Sequence, residues 1–182
     1  MFICLESLLK SWQKISNTAD GFAALLDDEK FYSVVSPGDI NNDGINDLLI
    51  GDHDNDDGGT SAGAVYMIFL GNNADVLSFQ QISTSYGNFE GVSLSDSWFG
   101  NGVGTLGDAN DDGVGDVIVG APRSSNQQGA VYLIFLVADG TVGSYQKVSG
   151  NDIALDDSDY FGWSCDGIGD LDGDSTTDVL VV

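Results

Sequence analysis

An acidic nine-residue pattern occurs three times in this 182-residue sequence and constrains the fold more than any other feature. Asp or Asn stands at positions 1, 3, 5 and 9, and the copies begin at Asp39, Asp108 and Asp170, which are 69 and 62 residues apart. Oxygen side chains at alternating positions of a tight loop can converge on one Ca²⁺ ion. Three such copies in the same register predict a repeated structural unit that is built around the loop.

The expected calcium ligands are the side chains at positions 1, 3, 5 and 9, together with the backbone carbonyl at position 7. We expect the carboxylate at position 9 to supply the bidentate arm. The full set is Asp39, Asn41, Asp43, Ile45 and Asp47; then Asp108, Asn110, Asp112, Val114 and Asp116; then Asp170, Asp172, Asp174, Thr176 and Asp178. In the third loop, Ser175 replaces the Gly that eases the sharp turn at position 6.

Two other interpretations of the loops are weaker. An EF-hand requires Glu at position 12 and a helix on either side, whereas position 12 here is Ile50, Val119 or Val181 within a β-type run. Simple solvated turns also favour Asp, Asn and Gly. A turn alone does not require four oxygen side chains at the same positions in three separate copies.

Other segments repeat together with the loops. A Gln-Lys-Ile-Ser segment at 13–16 recurs in similar form at 80–83 and 146–149, and Gly-Ala-Val-Tyr at 63–66 recurs at 129–132. The period is about 65 residues, which is the size of a propeller blade rather than of a solenoid turn.

Short apolar runs rich in Val, Ile, Tyr and Phe lie between clusters of Gly, Asp and Asn, which is typical of strands. The clearest runs are Asp47–Ile50, Ala64–Leu70, Val117–Val119 and Ala130–Val137, and only Ala23–Lys30 is compatible with a helical turn. We therefore predict an all-β fold in which four antiparallel strands form each sheet. Radial stacking of such sheets gives a β-propeller.

The second repeat has Phe99-Gly100, the acidic loop Asp108–Asp116 and then Gly120-Ala121-Pro122. This combination resembles the FG-GAP repeat of the integrin α-chain propeller. The first repeat departs from it, with Phe31-Tyr32 and then Gly51-Asp52-His53, whereas the third keeps Phe-Gly and its loop. The resemblance implies that the acidic loop joins the first two strands of each blade and holds Ca²⁺. It also implies a ligand surface on the face opposite the calcium loops.

The repeats divide the chain into two blades, 31–83 and 98–149, flanked by half-blades at 1–16 and 161–182. This is a partial propeller with about three blades' worth of strands. A ring closed from these pieces would have three blades, whereas propellers use four to eight. We therefore expect this chain to be a fragment of a longer propeller, and we expect the remaining blades to be its partners.

Composition excludes several classes of function. With a net charge of −24 the chain cannot neutralise the phosphate groups of a nucleic acid, so a nucleic-acid partner is not expected. No apolar run has transmembrane length and Met1–Lys10 does not have the pattern of a signal peptide, so we expect no membrane insertion by this segment. An acidic surface with calcium loops suits an extracellular or cell-surface location.

Several residues have simple structural interpretations. The acidic run Asp52–Gly58 is expected to be a solvated loop, with His53 on its surface. Cys4 and Cys165 are expected to be buried as small apolar residues. A carbohydrate-stacking surface is an alternative to core packing, which is the default expectation for Trp12, Trp98 and Trp163.

No catalytic constellation is evident. Gly59–Gly63 matches the Gly-x-Ser-x-Gly pattern, but a strand follows it and no His comes later in the chain. We therefore expect a calcium-stabilised, non-catalytic module for binding or adhesion, with a protein or glycan ligand. The alternative is the propeller scaffold of a secreted carbohydrate-active or phospholipase-type enzyme. An intracellular scaffold of the WD type lacks support because no Trp-Asp signature occurs.

Overall fold

The computed structural model describes residues 31–90 and 92–182 in full, and 2–6 and 8–13 as backbone. The Ala23–Lys30 segment and the side chains of Cys4 and Trp12 lie outside the described residues. The elements in chain order are β1 (Phe2–Glu6), β2 (Leu8–Gln13), β3 (Ser33–Gly38), β4 (Asp47–Asp52), β5 (Ala64–Leu70), β6 (Val76–Ile82), β7 (Val103–Gly107), β8 (Asp116–Gly120), α1 (Ser124–Gln127), β9 (Ala130–Leu136), β10 (Val142–Ser149), β11 (Cys165–Gly169) and β12 (Asp178–Val181).

The strands form two four-stranded sheets and two hairpins, and every neighbouring pair is antiparallel. The strand order is β3-β4-β5-β6 in one sheet and β7-β8-β9-β10 in the other, whereas β1-β2 and β11-β12 are separate pairs. The predicted all-β class with four-stranded blades is confirmed. The only helical element among the described residues is the short turn α1, in which Ser125 and Asn126 have positive φ.

Burial follows the position of a strand within its sheet. All seven residues of β5 are buried, and its counterpart β9 is buried at five of seven positions. Outer strands such as β10 are mostly exposed. A strand that is covered on both faces has a continuous apolar sequence, so the third strand of each sheet lacks the alternation of apolar and polar residues.

Adjacent sheets are joined through their first strands, because β3 contacts β7 and β7 contacts β11. At the junction, the Phe99 amide donates to the Ala62 carbonyl at 3.1 Å, and Phe99 forms a parallel bridge with Gly63. Gly129 and Phe161 form the same bridge at the next junction. The Phe-Gly motif thus connects each sheet to the one before it. Its Phe packs in the core shared by both sheets.

The expectations for three side chains are wrong. His53 is buried rather than on the surface, and Asp52, at the start of the predicted solvated loop, is fully buried at the end of β4. The reason is that His53 is stacked between the rings of Tyr32 and Trp98, which come from two neighbouring sheets. Trp163 is 50% exposed rather than in the core, because it lies at an open groove on one face. Cys165 is buried, as expected.

Candidate metal centre

Each acidic loop connects the first and second strands of its sheet or hairpin. The loops join β3 to β4, β7 to β8 and β11 to β12, so all three occupy the same end of equivalent strand pairs. The adjacency of β3, β7 and β11 brings the loops to one face of the molecule. The sequence-predicted ligands are therefore grouped into three separate sites that share one face.

Within the first loop, side-chain oxygens turn inward and accept backbone amides. The Asp39 carboxylate accepts the amides of Asp43 at 3.0 Å and Gly44 at 2.8 Å. Asn41 Oδ1 also accepts the Asp43 amide, and Asp43 Oδ1 accepts the Ile45 amide at 2.9 Å. These short-range bonds draw the oxygens of positions 1, 3 and 5 toward one point.

The second loop reproduces this network. Asp108 accepts the amides of Asp112 and Gly113, both at 2.9 Å, and Asp112 Oδ1 accepts the Val114 amide at 2.9 Å. Positions 4 and 6 of both loops have positive φ, for example Asp111 at 60° and Gly113 at 90°. Equal geometry in two separate loops indicates that the nonapeptide itself determines the conformation.

The third loop has the same form despite Ser175. The carboxylate oxygens of Asp170, Asp172 and Asp174 all lie within 4.8 Å of one another. Ser175 adopts the left-handed conformation at position 6 with φ 72°, and Gly173 has the positive φ at position 4. A non-glycine residue in this conformation costs about 1–2 kcal/mol.

In the first two loops, the carboxylate at position 9 differs from the other loop carboxylates because it is fully buried. Asp47 Oδ2 accepts the Ile40 amide at 3.0 Å, and its Oδ1 accepts the Leu70 amide at 3.1 Å at the end of β5. Asp116 makes the same two bonds, to Ala109 at 2.9 Å and to Leu136 at 3.0 Å. This residue therefore fastens the loop to the third strand. Sequence reasoning missed that role, since the partner amide lies 23 or 20 residues away.

Burial raises the pKa of Asp47 and of Asp116, although the backbone amides that they accept act in the opposite direction. The nearby charges of the other loop carboxylates raise both pKa values further. In the third loop, the Thr176 hydroxyl and amide donate to Asp174 and lower the pKa of its carboxyl. A bound cation would relieve the repulsion among these clustered carboxylates, one of which is buried.

The donor set fits Ca²⁺. All of the side-chain ligands are carboxylate or amide oxygens, which are the hard donors that Ca²⁺ prefers. Each carboxylate oxygen has more than one acceptor site, so a bonded amide leaves capacity for a cation. The ion would bring positive charge to a group of oxygens that repel one another.

The opposite end of the same strand pairs carries an aromatic groove of about 560 Å³. Tyr32, His53, Trp98 and Trp163 line it as a row of rings, with successive centroids 3.7, 4.7 and 6.1 Å apart. Asn101 also lines the groove, and its amide group donates to the Trp163 carbonyl. These residues precede the first strand or follow the second, so the groove faces away from the acidic loops.

The rings differ in their solvent exposure. Arg123 lies over Trp98, 4.8 Å from the ring centroid, and forms a 3.0 Å ion pair with Asp96. The Tyr32 hydroxyl donates to Asp54, and this hydrogen bond raises the pKa of Tyr32 to about 12. Tyr32 and Trp163 are about half exposed, so they are the rings that a ligand can reach.

Comparison with known proteins agrees with this architecture. The sequence profile of the FG-GAP repeat family matches residues 31–67 and 99–134. This chain carries FG-GAP repeats. The two matched segments include the first and second acidic loops, and the FG-GAP match identifies the two four-stranded sheets as propeller blades. Among the described residues the sheets do not close into a ring, which is consistent with a partial propeller.

Several curated relatives of these FG-GAP repeats are integrin α chains. Integrin alpha-2 of Bos taurus is 37% identical over 157 residues, which cover 83% of this chain and 13% of the relative. Integrin alpha-10 of Homo sapiens is 34% identical over 83% of this chain and 12% of its own length. Integrin alpha pat-2 of Caenorhabditis elegans is 38% identical over 58% of this chain and 9% of the relative. The chain spans about an eighth of the first two relatives.

Proposed function

We propose that this chain is part of an extracellular or cell-surface β-propeller that binds a protein or glycan ligand and is stabilised by Ca²⁺. The repeated acidic loop on one face is the observation that carries the proposal. The likeness to integrin α chains supports a role in adhesion. In this proposal the chain has no catalytic activity. Among the described residues, no helix is long and apolar enough to cross a membrane.

The calcium would be structural. Its ligands would be the side chains at positions 1, 3, 5 and 9 of each loop and the carbonyls of Ile45, Val114 and Thr176. Inward-turned oxygens at Asp39, Asp108 and Asp170 support this assignment, since amides of the same loop already hold them in place. Positive charge at this point would reduce repulsion within the loop and secure the turn between two strands.

The proposed domain division keeps blades at 31–83 and 98–149 and half-blades at 1–16 and 161–182. The described strands are compatible with these boundaries, because β3–β6 and β7–β10 each complete one sheet. The remaining blades of a longer propeller would be the neighbours of the two half-blades.

The ligand would bind on the face opposite the calcium loops. The aromatic groove supports this choice, because exposed Tyr and Trp rings offer large apolar area with a polar edge. Trp163 is the ring with the most open position in the described part of the groove. Its two partners, Trp98 and Tyr160, hold it at centroid distances of 6.1 and 6.0 Å.

Calorimetric titration of the full chain with Ca²⁺ tests the metal assignment. We expect three sites, and we expect Asp112→Asn to reduce the number to two. Asp75→Asn is the matched control, because it removes the same charge from a turn outside the loops and should leave all three sites. Thermal melts in Ca²⁺ should have higher midpoints than melts in chelator, because an ion that binds only the folded state stabilises it. Equal midpoints would reject the structural role.

Screening of the chain against arrays of glycans and extracellular proteins tests the ligand face. Trp163→Ala should remove the binding signal, whereas Leu77→Ala, at an exposed position of the outer strand β6, should retain it. A signal that survives Trp163→Ala would place the ligand elsewhere. Hydrolysis of an arrayed glycan would contradict the non-catalytic assignment.

A further inference from the structure

One aspartate between the second sheet and the last hairpin is held against its own backbone. Asp166 of β11 is followed by Gly167, and its carboxylate oxygen Oδ1 accepts the Gly167 amide at 3.0 Å. The Thr105 amide of the neighbouring strand β7 donates to the same oxygen at 3.1 Å. Two amides therefore hold this carboxyl group beside the nitrogen of the next residue. Both contacts are made within β11 or between β11 and β7, so they involve described residues only.

An aspartate that is followed by glycine can react with its own backbone. The amide nitrogen attacks Cγ, an N–Cγ bond forms, and the carboxyl OH leaves with the amide proton as water, which yields a five-membered succinimide. Water then opens the ring at one of its two carbonyls. Opening at Cγ restores aspartate, whereas opening at the α-carbonyl leaves the main chain linked through Cγ as isoaspartate. Glycine has no side chain to hinder the attack, and water is the only other reactant.

Asp-Gly occurs at five further places in residues 31–90 and 92–182, namely 43–44, 57–58, 112–113, 139–140 and 172–173. In the three acidic loops, the carboxylate at position 1 accepts the glycine amide. In the turn after β9, the Gly140 amide donates to the Val137 carbonyl at 2.8 Å. At the remaining pair, the Asp57 carboxylate accepts the side-chain amide of Gln81 in β6. An amide that is bonded to another group must lose this bond before it can attack.

We propose that Asp166-Gly167 is a site of spontaneous isoaspartate formation in the folded protein. Among the described Asp-Gly pairs, only Asp166 accepts the amide of its own glycine. The nitrogen that lies 3.0 Å from Oδ1 is also close to Cγ, because Cγ is bonded to that oxygen. Holding two reacting groups together removes much of the entropic cost of their reaction. Asp166 is exposed, so water can reach the ring that forms.

The reaction would alter the junction between β7 and β11. A Cβ atom on Gly167 would lie 2.3 Å from the Thr105 carbonyl oxygen, which shows how closely the two backbones approach. Isoaspartate adds a methylene group to the main chain at this point, and it moves the carboxylate to which the Thr105 amide donates. Closely packed groups tolerate little added volume. Isomerisation of Asp166 should therefore loosen β11 from β7 and lower the stability of the protein.

Ageing of the folded chain, followed by peptide mapping, tests the site. The full chain is incubated in mildly acidic, calcium-containing buffer, and electron-transfer fragmentation locates isoaspartate in each peptide. Deamidation of Asn101, which precedes Gly102, is distinguished by its change in mass. We expect isoaspartate to accumulate about 10-fold faster at Asp166 than at Asp139, a matched Asp-Gly pair outside the acidic loops.

Ageing in urea is the control for this experiment. Unfolding releases the glycine amide of every pair, so the rates at Asp166 and Asp139 should then become similar. Equal rates in the folded chain would overturn the proposal. The same rate ratio in urea would also overturn it, because flanking sequence rather than the folded structure would then set the rates.

An Asp166→Glu variant tests the structural consequence. Glutamate keeps the charge, but its cyclisation requires a six-membered ring, which forms much more slowly. We expect the thermal midpoint of the original chain to fall as isoaspartate accumulates at Asp166. The midpoint of the variant, measured before and after the same ageing, should stay constant. An equal fall in both chains, or a constant midpoint in an original chain that has accumulated isoaspartate, would contradict the effect on the junction.

Discussion

The buried carboxylate at position 9 has two roles, and mutation can separate them. Asp116→Ala removes a proposed calcium ligand and also the acceptor of two backbone amides, those of Ala109 and Leu136. Asp112→Ala removes a proposed ligand of the same loop, but that residue is exposed and accepts only one backbone amide, that of Val114. The two variants should therefore lose the same metal site and differ in stability without metal.

The magnitude follows from the number of amides that lose their acceptor. A buried donor left without a partner costs about 1–3 kcal/mol. The Leu136 amide is buried and the Ala109 amide is only partly buried, so Asp116→Ala should lose about 1–4 kcal/mol. The exposed position predicts a loss of about 0–1 kcal/mol for Asp112→Ala. Total stabilities of single domains are about 5–15 kcal/mol, so the first variant should lose a measurable fraction of its stability.

Urea unfolding in excess chelator, followed by tryptophan fluorescence, measures both values. The chelator is essential, because in Ca²⁺ both variants also lose binding energy and the two effects mix. We expect the transition of Asp116→Ala to shift to much lower urea than that of Asp112→Ala. Equal stabilities of the two variants in chelator would refute the anchoring role of the position-9 carboxylate.

Two further predictions concern packing and the buried thiol. Gly120→Ala should destabilise the protein by about 1–3 kcal/mol, because the new Cβ would clash with the Gly162 carbonyl oxygen of the neighbouring sheet. Gly143→Ala is the control, because the nearest atom there belongs to a side chain that can move. Equal thermal midpoints for alanine variants of Gly120 and Gly143 would contradict this. Burial raises the pKa of the Cys165 thiol to about 12, so in a Cys4→Ser background iodoacetamide at pH 8 should label it about 1000-fold more slowly in native buffer than in urea. Native labelling should accelerate as the pH rises toward that pKa, and equal rates in both solvents would show that the thiol is accessible.

Much of the fold could be predicted because its signals are local. The third strands are continuous apolar runs, and the predicted Ala64–Leu70 run coincides with β5. The acidic nonapeptide also determines its own geometry, because its Asp and Asn side chains accept backbone amides within the same nine residues and Gly permits the positive φ of the turn. Such features depend on neighbours in sequence, so they can be read without knowledge of the tertiary structure.

Other features depended on residues that are distant in sequence. The anchoring of Asp116 requires an amide on another strand, and the burial of His53 requires rings from two sheets. The acidic neighbours of His53 in the sequence predicted a solvent-exposed side chain, but its ring is buried because it stacks between the rings of Tyr32 and Trp98. The sequence by itself determined the strands and the loops. Only the packing of one sheet against the next decided which polar groups are buried and which aromatic rings face the groove, because burial is a property of the assembled surfaces.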